Sequence, residues 1–128
     1  MRKFLSIALL FVALTISAQS IETKFSKIAG ESYKKEWRRF TLQSNNSRLK
    51  IETMLGTTIY YKIVELEEPF EKDSCTFYIY HCKENDKVEH TVVQVIPKQL
   101  KGHAIIFLDY MKINGREMPL VTYKTEIY

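Results

Sequence analysis

Little in this chain can kink it or staple it. It has four glycines, three prolines and two cysteines in 128 residues. So little glycine and proline excludes a collagen-like, disordered or low-complexity chain. Two cysteines exclude the disulfide-dense scaffold that small exported domains use when they cannot build a core. There is no Gly-x-Ser-x-Gly, no glycine-rich phosphate loop and no His-Glu-x-x-His, so the commonest signatures of hydrolases, nucleotide binders and zinc proteases are missing. Charges of one sign do not cluster along the chain: 19 basic and 15 acidic residues are interspersed. That pattern does not point to nucleic acid or to an anionic membrane. Beyond residue 18 no apolar run approaches the roughly 20 residues a membrane-spanning helix needs.

What is present begins with an export signal. Arg2 and Lys3 form a short positive stretch, Phe4 to Ile16 is apolar apart from Ser6 and Thr15, and Ser17-Ala18 supplies small residues for cleavage before Gln19. This order of parts predicts a cleaved secretory signal peptide over residues 1–18. The residue after the cut is Gln19 rather than cysteine, so a lipid-anchored form is not expected. The expected mature chain is one domain, residues 19–128, secreted or periplasmic and without a transmembrane span. Removing Arg2 and Lys3 leaves 17 basic residues against 15 acidic, so the working protein is less basic than the whole chain.

From about residue 36 onward the apolar pattern has period two, and β-branched and aromatic residues dominate. Seven strands are predicted, at roughly 36–43, 47–54, 58–66, 74–82, 88–96, 103–113 and 116–127, separated by turn-forming clusters. Asn114-Gly115 is the strongest of these, because both central positions of a type I′ turn need positive φ. Residues 21–29 read differently. Ile21, Phe25 and Ile28 are spaced i, i+4, i+7 between Ser20 and Gly30, which predicts a short helix. Strands joined by short turns pair as neighbours. The expected fold is therefore all-β: a seven-stranded antiparallel up-and-down meander forming a small barrel or half-barrel, alternatively a sandwich, with a short N-terminal helix.

Two hairpins can be placed in register. A two-residue Asn114-Gly115 loop sets Lys112 against Glu117, a favourable opposite-charge pair. Ile105, Phe107, Met111, Met118 and Leu120 then share one face, and Ala104, Ile106, Leu108, Tyr110, Val121 and Tyr123 the other. Both faces are apolar. A sheet wetted on one side alternates cleanly, so the hairpin 104–125 is expected to be covered on both sides: by the core, and by a helix, a ligand or another chain. The second hairpin, turning at Asn85-Asp86, would set Phe77 opposite Gln94, Ile79 opposite Val92 and His81 opposite His90.

Each candidate chemistry has a plain structural alternative. Cys75 and Cys82 are seven apart. In one extended strand that is about 23 Å, far beyond the roughly 7 Å a disulfide tolerates, so they are expected as free thiols with Cys75 buried. Histidine is the commonest metal ligand, and the predicted register puts His81 and His90 within reach of one ion, although a zinc site wants three or four ligands. A solvated pair at the sheet rim is the plainer reading. The acidic run Glu65, Glu67, Glu68, Glu71 and Asp73 offers calcium-type oxygens but lacks the spacing of an EF-hand, so a solvated loop is expected. No cofactor and no catalytic residue are assigned.

The aromatic residues carry the functional expectation. Trp37, Tyr61, Phe77, Ile79, Phe107, Tyr110 and Tyr123 are the candidate lining of a barrel pocket, since small barrels either fill their interior or hold one small ligand. The layout resembles that of lipocalin-like exported barrels. The likeness is architectural: the Gly-x-Trp signature is not supplied by Gly30-Glu31-Ser32, and Trp37 lies seven residues beyond Gly30. The expected function is an exported non-enzymatic binding module holding a small apolar or amphipathic ligand. The alternative is a protein-interaction or assembly domain using the two-sided hairpin 104–125.

Overall fold

The computed structural model describes residues 19–43 and 45–127, and the expected signal segment lies outside them. Ten strands follow in order: β1 (Gln19–Ile28), β2 (Lys34–Gln43), β3 (Arg48–Thr53), β4 (Thr58–Leu66), β5 (Phe70–Lys72), β6 (Cys75–Lys83), β7 (Val88–Pro97), β8 (Ile106–Ile113), β9 (Arg116–Glu117) and β10 (Val121–Lys124). All pairings are antiparallel, and β10 joins both β1 and β8. The ring β1-β2-β3-β4-β6-β7-β8-β10 therefore closes as an eight-stranded barrel. β5 continues the line of β4 along β6 after the break at Pro69, and β9 precedes β10 along β8 across Pro119. Proline cannot donate to a ladder, which explains why both lines are interrupted where they are. Closure removes the long free edges that an open meander would present.

The predicted helix over 21–29 is corrected to strand β1. A bulge between Thr23 and Phe25 explains the misleading spacing. One extra residue reverses the alternation, so Ile21 and Ile28, seven apart, both face inward: Ile21 opposite Phe40 and Ile28 opposite Val121. Phe25 turns outward between Lys35 and Lys124. A bulged strand thus reproduces the i, i+7 pattern of a helix face, and it supplies the eighth strand that closes the ring.

Among the described residues the interior is filled. Phe40, Leu49, Ile51, Tyr61, Ile63, Leu66, Tyr78, Tyr80, Cys82, Val92, Phe107 and Tyr123 form one buried cluster. Phe40 stacks on Phe107 at 4.1 Å between ring centroids and meets Tyr123 edge-on at 5.4 Å, geometries that aromatic pairs favour. The residual space among Ile21, Phe40, Leu42, Leu49, Tyr80, Gln94 and Phe107 is about 10 Å³, room for one water at most.

Both predicted hairpins need a correction of one residue. The turn at Asn114-Gly115, with φ of 52° and 78°, does set Lys112 against Glu117. After Pro119, however, β10 pairs with Tyr123 opposite Phe107, not on the face of Ile106 and Leu108. At the other hairpin, Glu84 N–H donates to Val88 C=O, and the Asn85 side chain accepts from the amides of Lys87 and Val88. The loop therefore holds one residue more than a two-residue turn. His81 lies opposite Thr91, and His90 opposite Cys82. A slip of one residue sends every side chain of a strand to the other face. Cys82 is accordingly the buried cysteine and Cys75 the half-exposed one, and both are free thiols.

Candidate functional site

The barrel carries three distinct constellations: a buried polar chain, an apolar outer wall and a charged outer wall. The polar chain is held by inward positions of β4, β7 and β8. Tyr61 Oη donates to Asp109 Oδ2 at 3.1 Å. His90 Nδ1 lies 2.8 Å from Asp109 Oδ1, and its Nε2 lies 2.9 Å from Glu84 Oε1. The Tyr61 and His90 rings stack at 3.8 Å. A proton on each ring nitrogen lets both carboxylates accept, so the geometry favours the imidazolium form of His90. Burial pulls its pKa down, but the hydrogen bonds and charges of Asp109 and Glu84 outweigh that and raise it. Burial, reinforced by Asp109, also pushes the Tyr61 phenol far up.

This chain has the parts of a cysteine–histidine–aspartate relay without its chemistry. Cys82 faces His90 across the β6–β7 pair, yet no hydrogen bond joins them, and both His90 nitrogens are already committed to carboxylates. Burial, with the charge of Asp109, pushes the Cys82 thiol up to about 12. A nucleophile must reach the thiolate near neutral pH, so Cys82 behaves as a core residue. Nearby, Tyr80 Oη donates to Gln94 Oε1 at 2.9 Å, Ser26 Oγ donates to Glu36 Oε1, and the Arg38 guanidinium lies 4.8 Å from the centre of the Tyr123 ring.

The apolar wall is the outer face of β6, β7 and β8. Three rows cross it in register: Phe77–Val95–Ile106, Ile79–Val93–Leu108 and His81–Thr91–Tyr110. Phe70 stacks on Phe77 at 5.0 Å and extends the first row. The first two rows are wholly apolar, and the third is polar at His81 and Thr91. With strands about 4.8 Å apart and like-facing residues about 6.8 Å apart, the two apolar rows with Phe70 cover roughly 200 Å². A cleft of about 530 Å³ adjoins the third row, lined among others by Val64, His81, Lys83, Tyr110, Lys112 and Met118.

The charged wall lies over β1, β2 and β3. Glu22, Arg39 and Glu52 form a cross-strand ladder, with Arg39 3.2 Å from Glu22 and 3.7 Å from Glu52. Trp37 Nε1 donates to Glu22 Oε1 at 3.0 Å. The hydrogen bonds from Trp37 and Arg39 hold the Glu22 carboxyl below its usual range.

No protein family, curated protein or solved structure matches this chain. The site reading therefore rests on the geometry.

The seven aromatic and aliphatic residues expected to line one pocket are divided by the structure. Tyr61, Phe107 and Tyr123 point inward, where they are packed solid. Phe77, Ile79 and Tyr110 sit together on the apolar wall, and Trp37 stands on the charged wall. His81 and His90 do not face each other. His81 is outside, bonded to Glu67, and His90 is inside. Among the described residues no group of three or more metal-type ligands is arranged to hold one ion. The sequence reading missed the Tyr61–Asp109–His90–Glu84 chain altogether. An aspartate at position 109, flanked by Leu108 and Tyr110 within an otherwise apolar stretch, was the available signal.

Proposed function

We infer that this is an exported, non-enzymatic docking module whose working surface is the outer wall of β6–β8, and that its partner is an apolar segment of another polypeptide chain. The observation that supports it is the pair of apolar rows, Phe77–Val95–Ile106 and Ile79–Val93–Leu108, facing away from the core. In a sheet wetted on one side these positions would be polar. Ring closure leaves no long strand edge for a partner to extend, so recognition runs through side chains. An apolar patch of roughly 200 Å² is well below the about 800 Å² per side of a standard stable interface, so docking on this wall alone is transient.

The packed lumen weighs against a ligand seated at the barrel's centre. The cleft of about 530 Å³ beside Tyr110 keeps the small-molecule reading as the second one, since it exceeds the roughly 300 Å³ floor for ligand pockets and joins apolar Val64 and Met118 to Lys83 and Lys112.

A photo-crosslinking residue placed in turn at Leu108 and at Arg39 separates these readings in the exporting cell. Adducts at Leu108 but not at Arg39 support docking on the wall, and equal labelling or none overturns it. Sedimentation of the purified barrel then shows whether the adduct is a second copy. A co-purified small molecule displaced by Tyr110→Glu favours the second reading.

A further inference from the structure

The antiparallel ring gathers turns 29–33, 54–57, 84–87 and 114–115 at one end of the barrel. At that end the β3–β4 turn presents Met54 at 61% and Leu55 at 87% exposure. Two neighbouring aliphatic side chains held in water at a turn tip need an explanation. Gly56, at φ 83°, tightens the turn behind them, with its N–H bonded to Thr53 C=O at 3.0 Å. The tip is therefore a formed feature of the fold.

What surrounds the tip narrows its partner. Met54 lines a cleft of about 330 Å³ together with Phe25, Trp37, Lys24 and Lys35, and a second cleft of about 440 Å³ with Trp37 and Gly56. Trp37 is the only tryptophan in the chain. In register across the outer face, Phe25 stands between Lys124 and Lys35. Of the nearby acids, Glu36 bonds Ser26 and Arg38, Glu52 pairs with Arg39, Glu22 bonds Arg39 and Trp37, and Glu126 pairs with Lys24 of the patch itself. Lys35 is exposed and has no ion-pair partner among the described residues.

We propose that this end of the barrel docks on an anionic lipid surface: Met54 and Leu55 enter the headgroup–acyl boundary, Trp37 and Phe25 sit at interface level, Lys35 meets a lipid phosphate, and Lys24 exchanges Glu126 for one. Each part matches an interfacial requirement. Aliphatic tips bury a few ångströms deep, tryptophan favours the headgroup region, and lysines near the surface are drawn to anionic lipid. Two tip side chains offer far less area than the about 800 Å² per side of a stable protein interface. A bilayer receives them one side chain at a time, without a complementary surface. This placement was not visible along the chain, because the lysines come from β1 and β2 and the aliphatic tip from the β3–β4 turn.

The test uses the chain from Gln19 to Tyr128, which contains every strand of the ring, with vesicles of phosphatidylcholine alone or with phosphatidylglycerol at about one part in three. Trp37 is its own reporter. The expected result is co-sedimentation and a blue shift of Trp37 emission on the phosphatidylglycerol vesicles. Met54→Glu with Leu55→Glu should weaken binding at least tenfold and abolish the shift. Lys24→Glu with Lys35→Glu should weaken binding on the anionic vesicles. Thermal unfolding of each variant should match the parent, since all four positions are exposed. No binding by the parent, or undiminished binding by the Met54/Leu55 double variant, overturns the proposal. So does equal affinity for a duplex oligonucleotide, which would make the patch a general polyanion binder.

Discussion

Tyr61 and His90 stack with ring centroids 3.8 Å apart, and both bond to opposite oxygens of one carboxylate, Asp109. The pair links β4 to β7 and β8 across the barrel interior, so its integrity reports on the closed ring. Buried networks of this kind are strong only while every member is satisfied.

The protonation of His90 makes the barrel pH-sensitive on the alkaline side. Its folded pKa is raised above the ordinary histidine value of about 6.5. The resulting stability is fully present below pH about 6.5 and is lost as pH rises through the folded pKa, where the unfolded chain has already given up the proton. Urea unfolding of the barrel between pH 5.5 and 9 should show stability falling with pH in that window. Asp109→Asn should flatten the slope and cost on the order of 3 kcal/mol, the usual penalty for breaking a buried charge pair. Unchanged stability from pH 6 to 9 would mean that the ring is not held as an imidazolium.

The two thiols should differ sharply. Cys82 is buried, with its pKa pushed up to about 12, and Cys75 is half-exposed on the outer face. A thiol reagent at pH 8 should modify one cysteine per native chain and both after denaturation, with Cys75 identified by peptide mass. Fast native labelling of Cys82 would show that the β6–β7 region opens.

Tyr80 and Gln94 form an isolated buried hydrogen bond, Oη to Oε1 at 2.9 Å. Gln94→Leu leaves the phenol unsatisfied and should cost about 1–3 kcal/mol, whereas Tyr80→Phe combined with Gln94→Leu should recover much of that. A double-mutant cycle by chemical denaturation gives the coupling, and simple additivity would show that the two side chains do not depend on each other.

Seven of the eight ring strands and their order were legible in the sequence because period-two alternation and turn residues are local signals. The Lys112–Glu117 register followed from Asn114-Gly115 alone. What failed were single-residue events. The bulge after Thr23 disguised a strand as a helix, the extra loop residue at Asn85–Lys87 exchanged the faces of Cys75 and Cys82, and Pro119 moved Tyr123 to the inner face. Each shifts parity by one, and parity decides which side chains meet. The Tyr61–Asp109–His90–Glu84 chain joins residues from distant positions of the sequence, so only closure of the ring could assemble it. The apolar wall, by contrast, was foreshadowed by the two-sided pattern of residues 104–125, because composition on both faces survives a register error.

The bulge that misled the helix reading also leaves a mark on the energetics. Thr23 is fully buried, and its Oγ1 has no hydrogen-bond partner among the described residues. It stands on the inner face of β1 opposite Arg38, beside the point where the alternation reverses. Burying a hydroxyl without a partner costs roughly 1–3 kcal/mol. Valine has nearly the same shape, keeps the β-branched preference of the strand and carries no group to satisfy. Thr23→Val should therefore stabilise the barrel by about 1 kcal/mol, a rise of about 4 °C or more in Tm for a domain of this size. Calorimetry of the two proteins at one pH decides it. A fall in Tm would mean that Thr23 Oγ1 has a partner in solution, and Thr23→Ser, which keeps the hydroxyl and loses the methyl, would then be the less destabilised of the two variants.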